Sequence, residues 1–179
     1  SLLPIDTNHV TERFSDKTVN EIVKAASEMS KAKTGALIVI EQNVRLDEYE
    51  RTGIVIDSVL TSQILINIFE HNTPLHDGAV IVRGNRITAA TCYLPLSDNM
   101  LLSKELGTRH RAGVGISEVT DSLTVIVSEE TGAISVAYKG ELMRKLTAEE
   151  LKKLLVMAQN KTAAQKKFRL WKGWNKNEI

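Results

Sequence analysis

The sequence predicts a single α/β domain in which a central mixed β-sheet of about six strands is flanked by helices on both sides. Three observations carry this expectation. Two runs, Ala36-Leu37-Ile38-Val39-Ile40 and Gly78-Ala79-Val80-Ile81-Val82, are continuously apolar and short, the pattern of strands buried on both faces. Around them, apolar residues recur at helical spacing, which supplies layers to cover such a sheet. Finally, a chain of 179 residues with 42% hydrophobic and 25% charged residues has an ordinary globular composition and can bury one sizeable core.

Residues 1–15 form an amino-terminal segment without a convincing period. Val19, Ile22, Val23, Ala26 and Met29 then recur at helical spacing behind a Thr18 to Glu21 capping box, predicting a helix over 16–32 that Gly35 ends. Ala36–Ile40 is the first strand. The polar stretch 41–51 reads as a long connection or a short helix, and Ile54-Val55-Ile56 as a short extended piece. Ser62, Ile64, Leu65, Ile68 and Phe69 predict a helix over 61–71, stopped at His71-Asn72-Thr73-Pro74 because the residue before proline disfavours helix.

Strands over 78–82 and 86–94 then flank the turn pair Gly84-Asn85, as in a hairpin. After a connection over 97–106, a helix is expected over 108–118, with Thr108 as its N-cap. Gly113 and Gly115 interrupt it, each weakening it by roughly 1 kcal/mol relative to alanine. They require a reason, either close packing or close approach of a ligand. Leu123–Val127 and 133–138 are two more strands, joined by the hairpin-length loop Ser128-Glu129-Glu130-Thr131-Gly132. Thr147-Ala148-Glu149-Glu150 starts a last helix with Leu151, Leu154, Leu155 and Ala158 on one face. The domain is therefore expected over 16–158, followed by a basic carboxy-terminal extension over 159–179 that carries Trp171 and Trp174.

The charge balance excludes some functions. Lys plus Arg number 23 against 22 Asp plus Glu, a formal net charge of +1, so no global field recruits nucleic acid and any anion site must be local. The single cysteine, Cys92, cannot form an intramolecular disulfide and reads as a small buried hydrophobe. No run of about 18 apolar residues and no leader-like amino terminus is visible, so this chain is expected to be soluble. P-loop, Rossmann and zinc-protease motifs are all missing.

Three stretches carry candidate chemistry. Asp77-Gly78 is a common turn pair, yet it directly precedes a buried strand, where a carboxylate could hold a divalent cation or orient a hydroxyl and a glycine would let another molecule approach. His76 beside it is a second candidate ligand, or simply structural. Gly107-Thr108-Arg109-His110-Arg111-Ala112 puts two guanidiniums and an imidazole at a helix start, where free amides and the helix dipole also attract anions. Positive side chains there are unfavourable for the helix itself, although a solvated basic turn is the plain alternative. Ser128, Glu129 and Glu130 offer a hydroxyl for phosphate and carboxylates for a metal, or are merely an acidic hairpin tip.

In this order, Asp77-Gly78-Ala79, Gly107 to Ala112 and Ser128-Glu129-Glu130 resemble the diadenylate cyclase (DAC) family. The first two match its D-G-A and R-H-R motifs without departure. The resemblance covers roughly 16–158, and Val55-Ile56-Asp57-Ser58 and Asn72-Thr73-Pro74-Leu75-His76 are most similar to its membrane-anchored CdaA-type bacterial members. It implies a nucleotidyltransferase that condenses two ATP into cyclic di-AMP and two pyrophosphates, each 3′-hydroxyl attacking the other ATP's α-phosphate across a face-to-face homodimer.

On the same resemblance, Asp77, Arg109, His110 and Arg111 are the catalytic residues. Gly78, Ala79, Tyr93, Leu94, Gly107, Thr108, Ser128 and Glu129 contact the nucleotide, with Tyr93 and Leu94 against adenine. A divalent ion, Mn²⁺, Mg²⁺ or Co²⁺, takes Asp77, His76 and Glu130. A membrane regulator protein and phosphoglucosamine mutase are the regulators the family implies. This chain would be the catalytic part at the cytoplasmic face of the cell membrane.

Two other classes compete. A nucleotide-binding or cyclic-dinucleotide-sensing module would keep the phosphate site without chemistry, but the Asp77 carboxylate would only hinder anion binding there. A nucleic-acid-binding domain built on the basic tail is disfavoured by the balanced charge and by aromatics of only 4%.

Overall fold

Strand β1 (Ala36–Ile40) is buried along its whole length, as its unbroken apolar run demands. Alternate residues of a strand face opposite sides of a sheet, and here they enter two cores. Ala36, Ile38 and Ile40 pack into one, Leu37 and Val39 into the other. The structure, a computed structural model, describes residues 12–160; residues 1–11 and 161–179, including Trp171 and Trp174, lie outside the described residues.

Helix α1 (Asp16–Ala32) precedes β1, which is followed by α2 (Asp47–Glu50), β2 (Ile54–Val59), α3 (Ser62–Phe69), β3 (Ala79–Arg83) and β4 (Arg86–Cys92). Helix α4 (Thr108–Val119), strands β5 (Leu123–Val127), β6 (Ile134–Tyr138) and β7 (Glu141–Leu146), and α5 (Ala148–Gln159) complete the described chain. The strands form one seven-stranded mixed sheet ordered β2-β4-β3-β1-β5-β6-β7. Only β1 and β3 are parallel neighbours. Helices α1, α3 and α5 cover one face, and α4 with the short α2 covers the other.

The expected α/β class, with helices on both sides of the sheet, is what forms. The additional strand is β7. Its Glu141-Leu142-Met143-Arg144-Lys145 stretch is made of helix-favouring residues and is largely exposed at the sheet edge, so neither propensity nor alternation marks it.

Three local expectations are corrected. Thr18 and Glu21 form no capping box: Ser15 is the N-cap of α1, accepting from the Thr18 amide. The Thr18 hydroxyl donates instead to Asn85 Oδ1 at 2.7 Å, and the Glu21 carboxylate accepts from the Ser62 amide at 2.9 Å at the start of α3. Nor does Gly35 end α1. Lys33 does so in the left-handed conformation, at φ 52°, leaving Gly35 for another purpose. The third correction concerns α4, whose N-cap is Gly107, without a side-chain cap bond, and not Thr108.

The sheet register then assembles one end of the molecule. Ala36 pairs with Val127 and Ala79 with Cys92, so the residues just beyond, Gly35 with Ser128 and Gly78 with Tyr93, gather at the amino ends of β1 and β3. The first turn of α4 lies over the same end, bringing Arg109 against Gly35.

Candidate active site

Two cavities open at this end and share one side chain. A cavity of ≈ 300 Å³ is lined by Leu37, Cys92, Leu94, Leu96 and Ala112, with Asp77, Gly78, Tyr93 and Thr108 around it. The second, of ≈ 200 Å³, takes Gly107, His110, Ser128, Glu129, Glu130 and Arg144 among its walls. Arg109 borders both. An apolar chamber thus meets a polar one across a guanidinium, which suits a ligand with an apolar end and an anionic group.

Asp77 is held by a turn that only glycine can complete. Gly78 has φ +79°, and a Cβ there would stand 2.9 Å from the Cys92 carbonyl oxygen and from the Thr91 carbonyl carbon. The backbone that approaches Gly78 is therefore the chain's own β4, not only a ligand. Fixed on this turn, the Asp77 side chain is 86% exposed at the cavity rim. His76 Nε2 lies 3.4 Å from Asp77 Oδ1, and its Nδ1 donates to the Thr73 carbonyl at 2.6 Å, since a carbonyl can only accept. In the neutral ring this leaves the Nε2 lone pair facing a carboxylate oxygen, an arrangement that a cation would satisfy.

On the polar side, Arg109 Nη1 lies 3.2 Å from Glu129 Oε1. The purpose of Gly35 appears here, because a Cβ on it would stand 2.8 Å from Arg109 Cζ and Nη1 and 3.0 Å from Glu129 Oε2. The Arg109 Nε is buried without a hydrogen-bond partner, an unsatisfied donor at the junction of the two cavities. Ser128 accepts from the amides of Glu130 and Thr131, each at 3.2 Å, which leaves its hydroxyl proton to donate into the cavity. The free amides of the first α4 turn add further donors.

His110 is buried, at 5% exposure. Burial pushes its imidazole below the ordinary value of 6.5, with the neighbouring Arg144 and Arg109 acting in the same direction and Glu129 and Glu130 opposing. Because the folded form binds the proton less readily than the unfolded chain, His110 contributes stability that is present above the ordinary histidine value and lost as pH falls below it. Stability measured by denaturant between pH 7 and 5 will therefore decline with falling pH, and the slope will be shallower in His110→Gln. An equal slope in both proteins would contradict the assignment.

Not every expected residue converges. Ala79 is fully buried under α4, so its small side chain serves packing. Neither Arg111 nor His76 is among the residues lining the two cavities. The Arg111 carbonyl instead accepts from the Ser97 amide at 3.0 Å. Glu130 lines the polar cavity while Asp77 borders the apolar one, and among the described residues no group of three His, Cys, Asp or Glu is gathered for a metal. Sequence reasoning missed Gly35, read only as a helix stop, together with Leu37 and Arg144.

Comparison with known proteins bears on this geometry. The family model described as DisA bacterial checkpoint controller nucleotide-binding (DAC) matches residues 23–142. The cyclic di-AMP synthase CdaA of Bacillus subtilis is 58% identical over 144 residues, covering 80% of this chain and 53% of the relative. The crystal structure of a double mutant of DacA from Staphylococcus aureus has a TM-score of 0.79 at 51% identity, over 80% of this chain and 96% of that one. A hypothetical membrane spanning protein from Bacillus cereus follows, at a TM-score of 0.71 and 43% identity, over 73% of this chain and 64% of that one. The present chain thus spans about half the length of the curated Bacillus subtilis relative.

Proposed function

The chain belongs to the diadenylate cyclase (DAC) family, and from that membership we propose that it condenses two ATP into cyclic di-AMP with release of two pyrophosphates. The observation that carries the reading is the pair of cavities joined at Arg109, with an exposed carboxylate on the rim of the apolar one. Adenine and ribose occupy the apolar cavity beside Leu37, Tyr93 and Leu94. The triphosphate passes Arg109 into the polar cavity, where the Ser128 hydroxyl, the Gly107–Arg109 amides and the guanidinium receive it.

Asp77 orients the 3′-hydroxyl and accepts its proton as the oxygen attacks the α-phosphate of an ATP held by a facing copy of the chain. The new bond is 3′-O to phosphorus, the bond broken is phosphorus to the bridging oxygen, and pyrophosphate leaves with the electron pair. A second, symmetric step closes the ring. Arg109 counters charge developing around the α-phosphate. The outward-facing Asp77 carboxylate supports the family's arrangement, in which the reaction runs between two copies and a single chain is inactive.

A divalent ion, Mn²⁺, Mg²⁺ or Co²⁺, would be held by Asp77 and His76 Nε2. It would supply charge neutralisation and lower the pKa of the bound hydroxyl. An incomplete protein ligand set suits an ion that arrives with a nucleotide. Glu129 serves Arg109, and Glu130 lies on the other side from the Asp77–His76 pair.

Among the described residues no helix is long and apolar enough to cross a membrane. On the likeness to CdaA and to the membrane spanning protein, we place the parent protein at the cell membrane, with this domain on its cytoplasmic face.

The test is incubation with ATP and Mn²⁺ or Mg²⁺, with products identified by mass. Cyclic di-AMP and pyrophosphate are expected, and chelation with EDTA should abolish both. ATP bound one per chain without turnover at any protein concentration would favour the sensing module instead. Within this reading, Gly35→Ala displaces the guanidinium of Arg109 and raises KM for ATP about tenfold, the weight of one charge-assisted contact. An unchanged KM would show that Arg109 does not receive the nucleotide in this pose.

A further inference from the structure

The polar cavity has a second arginine that none of the three sequence motifs contains. Arg144 lines it from strand β7, across from the α4 side that supplies Arg109 and His110. Its placement follows from an irregularity in the sheet. Val136 pairs with Met143 and Ile134 with Leu146, so Arg144 and Lys145 together oppose the single residue Ser135, and Lys145 takes φ 56°. Such a bulge re-aims a side chain at a sheet edge. Leu142 packs into the α4-side core and Met143 into the opposite one, so alternation returns Arg144 to the α4 face, where Ser135 also lines the cavity.

The cavity needs this cation. Glu105, Glu129 and Glu130 are in its walls, His110 is held towards its uncharged form by burial, and Arg109 is already paired with Glu129. Among the described residues, the Arg144 side chain has neither a hydrogen-bond nor an ion-pair partner. We propose that Arg144 binds the terminal phosphates of the nucleotide, the portion that leaves as pyrophosphate. Arg109 touches both cavities and so stands at the α-phosphate, whereas Arg144 lines only the polar one, beyond it. A guanidinium there grips two phosphate oxygens at once and offsets the charge gathered on the departing group.

This inference rests on reading that cavity as the triphosphate site, and the test separates the two. Binding of 3′-deoxy-ATP, which lacks the attacking hydroxyl, and of AMP is measured by calorimetry with Mg²⁺ on the full chain, its Arg144→Gln variant and its Arg144→Lys variant. Arg144→Gln should weaken 3′-deoxy-ATP about tenfold and leave AMP unchanged, and Arg144→Lys should recover part of the loss. Wild-type affinity in Arg144→Gln, or an equal loss for both ligands, would overturn the assignment of Arg144 alone. A wild-type chain that binds 3′-deoxy-ATP no better than AMP would remove the triphosphate site itself, and the inference with it.

Discussion

Asp77→Asn will lower cyclic di-AMP formation by roughly 10²- to 10⁴-fold, the range that a positioned proton acceptor supplies. The substitution keeps the shape of the side chain but removes its capacity to take the 3′-hydroxyl proton. Since the Asp77 side chain is 86% exposed and its turn is fixed by Gly78, the fold should not change. Circular dichroism and the thermal midpoint will match the wild type, and ATP will still bind through the polar cavity. Turnover within a few fold of the wild type would mean that another group accepts the proton, and the role given to Asp77 would be withdrawn. Among the described residues the one ionic neighbour of the carboxylate is His76 at 3.4 Å, so no salt bridge to another element is lost with it.

Gly115→Ala will destabilise the protein by about 1–3 kcal/mol, even though alanine is the better helix former by roughly 1 kcal/mol. Helix α4 passes so close to the loop after β4 that a Cβ on Gly115 would stand 1.8 Å from the Pro95 carbonyl oxygen and 3.0 Å from the Ser97 amide. The obstruction is backbone and cannot swing aside. That loop is clamped to α4 at two other points, where the Ser97 amide donates to the Arg111 carbonyl at 3.0 Å and the Ser97 hydroxyl donates to the Glu118 carboxylate. Relieving the clash must therefore move the stretch that carries Tyr93, Leu94 and Leu96, the wall of the apolar cavity. Gly115→Ala is expected to raise KM for ATP as well as to lower the denaturation midpoint. Gly113→Ala provides the comparison. Its Cβ would meet the Ile126 Cδ1 at 2.6 Å, the end of a side chain that can turn, so its cost will be smaller. Equal effects from the two substitutions would contradict the packing argument.

These glycines show where the sequence could be read and where it could not. Two glycines in one helix required either close packing or close approach of a ligand, and for Gly115 the Pro95 contact is close packing, although nothing in the sequence names the partner. The helix start at Thr147 was legible because its reciprocal cap is local, and Thr147 and Glu150 do form it. The Thr18 and Glu21 pair has the same spacing but is drawn away by Asn85 and Ser62, partners far along the chain. Asp77, Arg109 and Ser128 were candidates by residue type, each beside a plain alternative, and it was the three stretches in order that singled them out. Gly35 was not a candidate, because a glycine that makes room for a guanidinium is indistinguishable in sequence from one that ends a helix. Arg144 was hidden for a related reason: its strand is an exposed, bulged edge written in helix-forming residues.

The proposed reaction requires two chains acting together, each presenting one nucleotide to the other. The decisive measurement is the initial rate of cyclic di-AMP formation, identified by mass, against protein concentration at saturating ATP and Mn²⁺. If the exposed Asp77 rims face one another across a transient pair, the rate per chain will rise in proportion to protein concentration before levelling as the dimer fills. A rate per chain that is constant down to concentrations where sedimentation shows only monomer would place the whole reaction within one chain and contradict the account.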